Sequence, residues 1–328
     1  MPEDPLYIKV LEKLGVNVTR LRWKLYKRSQ RTSTGLLPRG MAWLRYRHKI
    51  CPDCGAVVDR AARTCPSCER RMPSMLRYRI SRMVATVTPT DSPVVINVFL
   101  GVMVLVYGLQ LLLDGFSFGA LMRPSLAATY VLGSWSPLSG VSDGEFWRFL
   151  SCGLVHGGII HIAFNGYALT QIGPLVEQQI ERTRMLVLIT LSQLGSIVAS
   201  YIWQVFIRGD QFGSTVGASG WLFGLIGYGI VFFHQQGAAG KPIRDQLLRW
   251  AAFVLVIGYF MSGIINNAAH VGGMLAGMAC VYLPDASRRG PSDRIWNTAY
   301  TVCVALWVVT LIFMIRFVIV VWPQIPNS

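Results

Sequence analysis

Four polar side chains stand out within stretches of this sequence that contain no Asp, Glu, Lys or Arg: His161, Asn165, Ser219 and His270. Taken singly, each has a plain structural explanation. A serine in an apolar helix usually packs helix against helix, and a histidine there is usually a hydrogen-bonded core residue. Taken together they are the parts of a hydrolytic site. A serine hydroxyl within hydrogen-bond reach of an imidazole becomes a nucleophile. His161 and Asn165, at i and i+4, share a helix face and can donate hydrogen bonds to a developing oxyanion. No carboxylate lies in any of these stretches. A nucleophilic Ser219 would therefore work from a dyad with His270, without the third member of a triad.

The glycines around the pair suggest how the two residues could meet. His270, Gly273 and Gly277 fall at i, i+3 and i+7, and Ser219, Phe223 and Gly227 at i, i+4 and i+8. Small residues along one helix face let two backbones approach closely.

A second cluster has metal-binding spacing. Cys51-Pro-Asp-Cys54 is followed, after ten residues, by Cys65-Pro-Ser-Cys68. Two such knuckles can place four thiolates around one Zn²⁺ in a compact hairpin. Two disulfides are the competing use of four cysteines, set aside because the segment is expected in the reducing cytoplasm. Four protein ligands leave no open position, so the zinc would be structural. Cys152, Cys280 and Cys303 stand singly in apolar stretches, where cysteine behaves as a small hydrophobe.

The elements that must carry these groups follow from composition. The 328 residues are 52% hydrophobic and 14% charged, far less charge than the roughly one quarter of a soluble protein. The mean hydropathy is +0.43. So little charge excludes an ordinary soluble enzyme and points to a bilayer. Uncharged runs at Val94–Leu113, Phe149–Val176, Met185–Ile207, Gln211–Gly240, Trp250–Pro284 and Ile295–Ile315 each reach the roughly 20 residues of a membrane-crossing helix. The fifth, at 35 residues, is too long for one crossing. Basic residues flank it on both sides (Lys241, Arg244, Arg249; Arg288, Arg289, Arg294), so it is expected to turn near Ser262–Asn267 as a helical hairpin. Seven spans result.

Charge is unevenly distributed. The net charge is +15, and residues 1–90 hold 19 Lys/Arg against 6 Asp/Glu, or +13 of that total. By the positive-inside rule this head is cytoplasmic, which puts the C-terminus outside. Residues 1–30 contain no uninterrupted apolar run, so no secretory leader is expected. Leu11, Leu14, Val18, Leu21 and Leu25, interleaved with basic residues, read as a basic amphipathic helix for an anionic membrane face or a partner helix. The plan is a basic, partly amphipathic segment over 1–45, a zinc ribbon over 46–75, a linker over 76–93, a six-span core over 94–284, and a loop with a seventh span over 285–328.

Gly217-Ala218-Ser219-Gly220 with His270-x-x-Gly273-x-x-x-Gly277 resembles the rhomboid family of intramembrane serine proteases. His156-x-x-x-x-His161-x-x-x-Asn165 is similar to that family's oxyanion region, and Trp147-Arg148 to the Trp-Arg pair of its first external loop. Glu177 matches an acidic position. Phe223 departs from a Tyr that often packs on the family's histidine, keeping the ring and losing the hydroxyl. The resemblance covers residues 94–284, leaving out the head and the seventh span. It implies a rhomboid-like six-helix core, and with the C-terminal span and zinc ribbon read from the residues the expected fold is an all-α polytopic membrane protein with a small cytoplasmic zinc-ribbon domain. It further implies an intramembrane serine endopeptidase that cuts transmembrane protein substrates near the outer face of the bilayer. Ser219 would be nucleophile and His270 base, with Asn165, His161 and the Ser219 N–H at the oxyanion and no cofactor for the chemistry. The cell (inner) membrane is the expected location. The alternatives are a non-catalytic rhomboid-like protein that binds membrane clients, and a head that serves as a nucleic-acid or protein adaptor. Of the head's two partner types, a cytoplasmic protein is favoured over nucleic acid.

Overall fold

The computed structural model describes residues 48–51, 56–69, 71–76, 78, 93–283 and 291–325, with 291–294 as backbone only. The chain divides into two compact units, residues 1–92 and 93–328. The amphipathic segment over 1–45, Cys54, most of the linker and residues 284–290 lie outside the described residues.

In the first unit, β1 (His48–Ile50) pairs antiparallel with β2 (Val57–Asp59), Lys49 opposite Val58. A second turn is closed by a bridge between Thr64 and Arg71. Cys51 leaves β1 and donates its N–H to Ala56 O at 2.8 Å, while Cys65 and Cys68 sit within the second turn. Among the described residues its buried apolar cluster is Cys51, Val58, Cys65 and Met72. So small an apolar core rarely holds a domain unaided.

The second unit is helical. Its elements are α1 (Val94–Leu113), α2 (Phe118–Met122), α3 (Leu126–Val131), α4 (Arg148–Ser151), α5 (Ile159–Glu177), α6 (Arg182–Ile202), α7 (Ser219–Gln235), α8 (Lys241–Phe260), α9 (Asn267–Cys280) and α10 (Pro291–Val320). Among the described residues, four helical stretches are long and apolar enough to cross a membrane: Val94–Leu113, Ile159–Glu177, Arg182–Arg208 and Ile295–Gln324. α8 has 20 residues but carries Lys241, Arg244, Asp245 and Arg249 in its first half. α7 has 17 residues and α9 has 14, so the helices that carry Ser219 and His270 are shorter than their uncharged runs. The break expected in the long fifth run falls between α8 and α9, at residues 261–266.

The run Phe149–Val176 is not one helix, which corrects the sequence reading. α4 ends at Ser151, and α5 begins only at Ile159. Gly158 has φ +145°, and a methyl there would overlap the Met122 carbonyl, so the chain turns where only glycine fits. The apolar count could not register this, because Gly is uncharged.

α7 and α9 pack backbone to backbone. A Cβ on Gly273 would overlap the carbonyl oxygen of Gly220, and one on Gly277 that of Gly224. α10 lies on the same body: Trp307 Nε1 donates to Thr190 Oγ1 of α6 at 3.0 Å. Its ring also meets Phe99 of α1 edge-on, with centroids 5.0 Å apart.

Candidate active site

Ser219 is the first residue of α7 and His270 is in the first turn of α9. Because these two helices touch through their glycines, their first turns lie side by side. His270 Nε2 is 2.9 Å from Ser219 Oγ. The imidazole is 4% exposed and lies flat on Phe223, with ring centroids 4.3 Å apart and planes 2° from parallel. Phe223 is one turn beyond Ser219 on α7, so a single helix supplies both the hydroxyl and the surface on which the imidazole rests. His270 Nδ1 has no hydrogen-bond partner among the described residues.

His161 and Asn165 project from α5 toward the segment before Ser219. A methyl on Gly217 would lie 2.5 Å from His161 Nε2 and 3.3 Å from Asn165 Nδ2. Gly217 has φ +111°, so both its space and its conformation exclude a side chain. Asn165 is 6% exposed and its Nδ2 lacks a partner among the described residues. An amide donor buried without an acceptor is costly, and such a donor beside a nucleophile suits an oxyanion. The N–H of Ser219 belongs to the first turn of α7, where the helix supplies no acceptor. The structure thus brings together all four site residues singled out in the sequence.

His156 is fully buried beneath His161, with ring centroids 5.2 Å apart. Its backbone is clamped by Gln110 of α1: Gln110 Nε2 donates to His156 O at 2.8 Å, and His156 N donates to Gln110 Oε1 at 3.1 Å. The Arg148 guanidinium is fully buried, paired with Glu145, donating to Ser134 O at 3.0 Å and stacked over Tyr130. Glu177 accepts from the N–H groups of Val95 and Ile96 at 2.8 and 3.0 Å, capping the start of α1. These matched positions hold the body together and do not touch the Ser–His pair.

One group of residues escaped the sequence reading. Asn266 Nδ2 donates to Ser200 Oγ at 2.6 Å and to Thr215 Oγ1 at 3.1 Å. Gln204 Nε2 donates to the same two oxygens, each at 3.1 Å. Asn266 Oδ1 also accepts from Ala269 N at 3.1 Å, capping α9. Thr215 lies four residues before Ser219 and Asn266 four before His270, so the network ties both approaches to the end of α6. Asparagine just before an apolar glycine-rich run is a helix-start signal. Its partners Ser200 and Thr215 carry no local signal.

In the first unit, the Sγ atoms of Cys51, Cys65 and Cys68 lie within 4.8 Å of one another, and those of Cys51 and Cys68 are 3.5 Å apart. Thiolates about 2.3 Å from a tetrahedral zinc stand about 3.8 Å apart, so this donor set fits that ion.

Fold and site together define a multi-pass helical membrane protein with a Ser–His pair where two short helices begin. Residues 143–284 match the family model described as the Rhomboid domain. Rhomboid protease GluP of Bacillus subtilis (strain 168) is 29% identical over 154 residues, covering 46% of this chain and 29% of the relative. RHOMBOID-like protein 5 of Arabidopsis thaliana is 32% identical over 161 residues, 48% of this chain and 50% of the relative. RHOMBOID-like protein 4 of the same plant is 28% identical over 213 residues, 58% and 52%. The chain therefore spans between about a third and a half of the length of these relatives. Residues 143–284 thus carry a Rhomboid domain, and over that region the chain is similar to these rhomboid relatives.

Proposed function

We propose that this protein is an intramembrane serine endopeptidase that cleaves transmembrane segments of other membrane proteins. The observation that carries this reading is the 2.9 Å contact between Ser219 Oγ and a buried, ring-stacked His270. Ser219 Oγ attacks the scissile carbonyl while His270 Nε2 takes its proton. The tetrahedral oxyanion is met by Asn165 Nδ2, His161 and the Ser219 N–H. His270 then returns the proton to the leaving amine, and water, deprotonated by the same imidazole, releases the acyl group from Ser219. The relative named a rhomboid protease supports the reading. Six helices (α1, α5, α6, α7, α8 and α9) form the proposed catalytic core, and α10 is a seventh span beside it. The N-terminus is proposed to be cytoplasmic and the C-terminus outside.

For the head we propose a structural zinc held by Cys51, Cys65 and Cys68, with Cys54 as fourth ligand. The ion would cross-link the two turns around a minimal core and supply no chemistry to the body.

The test is covalent labelling of the purified protein with a serine-directed fluorophosphonate, with the adduct located by mass spectrometry. Labelling at Ser219, abolished in Ser219→Ala and suppressed in His270→Ala, is expected. Protein that binds transmembrane clients yet takes no label would establish the non-catalytic alternative instead.

A further inference from the structure

We propose that the cleft formed by Lys49, Arg60, Arg63 and Arg71 in the first unit binds a phosphate group, presented by an anionic phospholipid headgroup. The cleft measures about 320 Å³, and among the described residues no acidic one lines it. Its anchor is Lys49, only 2% exposed. Lys49 Nζ donates to Ala62 O at 2.7 Å and to Pro73 O at 2.9 Å, using two of its three donors. Among the described residues no carboxylate pairs with it. Lysine is almost never buried this deeply without a counter-charge, because an unneutralised ammonium is costly out of water. Arg60, Arg63 and Arg71 stand around the same cleft, and none forms an ion pair among the described residues. Four converging cations, with no acid between them among the described residues, repel one another, and a phosphate oxyanion relieves both costs at once. Arginine forks suit its geometry in particular.

The source follows from the chain. Along the chain, residues 79–92 lie between the cleft residues and Val94–Leu113, a helix long and apolar enough to cross a membrane. Fourteen residues reach at most about 50 Å, so the cleft stays within range of headgroups at high local concentration. Among the described residues the cleft lining contains no aromatic ring, whereas grooves for single-stranded nucleic acid combine basic residues with stacking platforms.

The experiment uses the full chain in nanodiscs of phosphatidylcholine, with or without about one third phosphatidylglycerol, and reads hydrogen exchange at the amides of residues 61–74. Phosphatidylglycerol is expected to slow exchange there about fivefold at about 0.05 M salt, and the protection is expected to vanish near 0.5 M. It should also vanish in R63Q/R71Q, whose exposed side chains can change without disturbing the fold, as unchanged metal content would verify. K49M should lose it too. Protection by inorganic phosphate in phosphatidylcholine discs, with none from phosphatidylglycerol, would support the phosphate site and overturn the lipid source. Protection by an RNA oligonucleotide alone, or unchanged exchange under every condition, would overturn the proposal.

Discussion

His270 is constrained on two sides, by the Ser219 hydroxyl at 2.9 Å and by the face of Phe223, and nothing described orients its far nitrogen. In the proposed mechanism the ring stack therefore takes the orienting part that a carboxylate plays in a triad. Stacked aromatic pairs contribute about 0.5–1.5 kcal/mol beyond their buried area, so Phe223→Leu should cut kcat by about three- to tenfold and leave KM nearly unchanged. A KM effect alone would show that Phe223 touches substrate and does not position the base. Ser219→Ala and His270→Ala should each abolish cleavage of a detergent-solubilised model substrate, with the double variant no slower than either single one. Asn165→Ala and His161→Ala should each slow turnover by about 10²–10³ while substrate binding holds. Full rates in both would return these side chains to helix packing.

At the scale of elements, the site depends on where α7 and α9 begin and how closely they run. Their contact is backbone on backbone at Gly220–Gly273 and Gly224–Gly277, so Gly277→Leu should yield no folded protein. The Ser200–Gln204–Thr215–Asn266 network then sets the two first turns against each other. Asn266→Ala removes the cap of α9 and takes one donor each from the buried Ser200 hydroxyl and the half-buried Thr215 hydroxyl, for a loss of about 1–3 kcal/mol in reversible unfolding. Because Thr215 shares that network, Thr215→Ala combined with Asn266→Ala should cost less than the sum of the two. Strict additivity of the pair, in stability and in kcat, would mean the network does not act as a unit.

The whole molecule joins a body held by helix packing to a head whose apolar core, among the described residues, is four side chains. The body extends past the matched domain: Phe317 of α10 packs on Trp147 with centroids 4.9 Å apart, and Arg148 also faces that ring. α10 thus seals the side of the bundle that carries α4, and Phe317→Ala should lower the body's thermal stability measurably. The head should respond to different conditions. If the thiolates hold zinc, the ion's binding energy is the head's folding energy. A strong chelator, or Cys51→Ser, should then release about one zinc per chain. It should also expose the remaining knuckle thiols to alkylation, with cleavage by the body retained. Loss of cleavage together with the metal would show that head and site are coupled, and reduced protein purified without zinc would refute the metal assignment.

Several features could be read directly along the chain. Absence of charge marked the apolar stretches, 3–4 residue spacing placed His161 beside Asn165, and paired C-x-x-C knuckles marked the cysteine cluster. Each is a local property, repeated within a turn or a knuckle. The break between α8 and α9 was legible for a related reason, because a 35-residue apolar run exceeds the thickness of a bilayer. What lay beyond the sequence concerned distances between segments far apart in the chain. That α5 begins only at Ile159 depends on Gly158 meeting the Met122 carbonyl. That Ser200, Gln204, Thr215 and Asn266 form one network depends on three segments meeting at one point. Lys49 looks like one cation in a basic head, and only the fold buries it against two carbonyls. The physical reason is the same in each case. A residue's type states which bonds it can make, but burial decides which of them it must make, and burial is set by the packing of the whole chain.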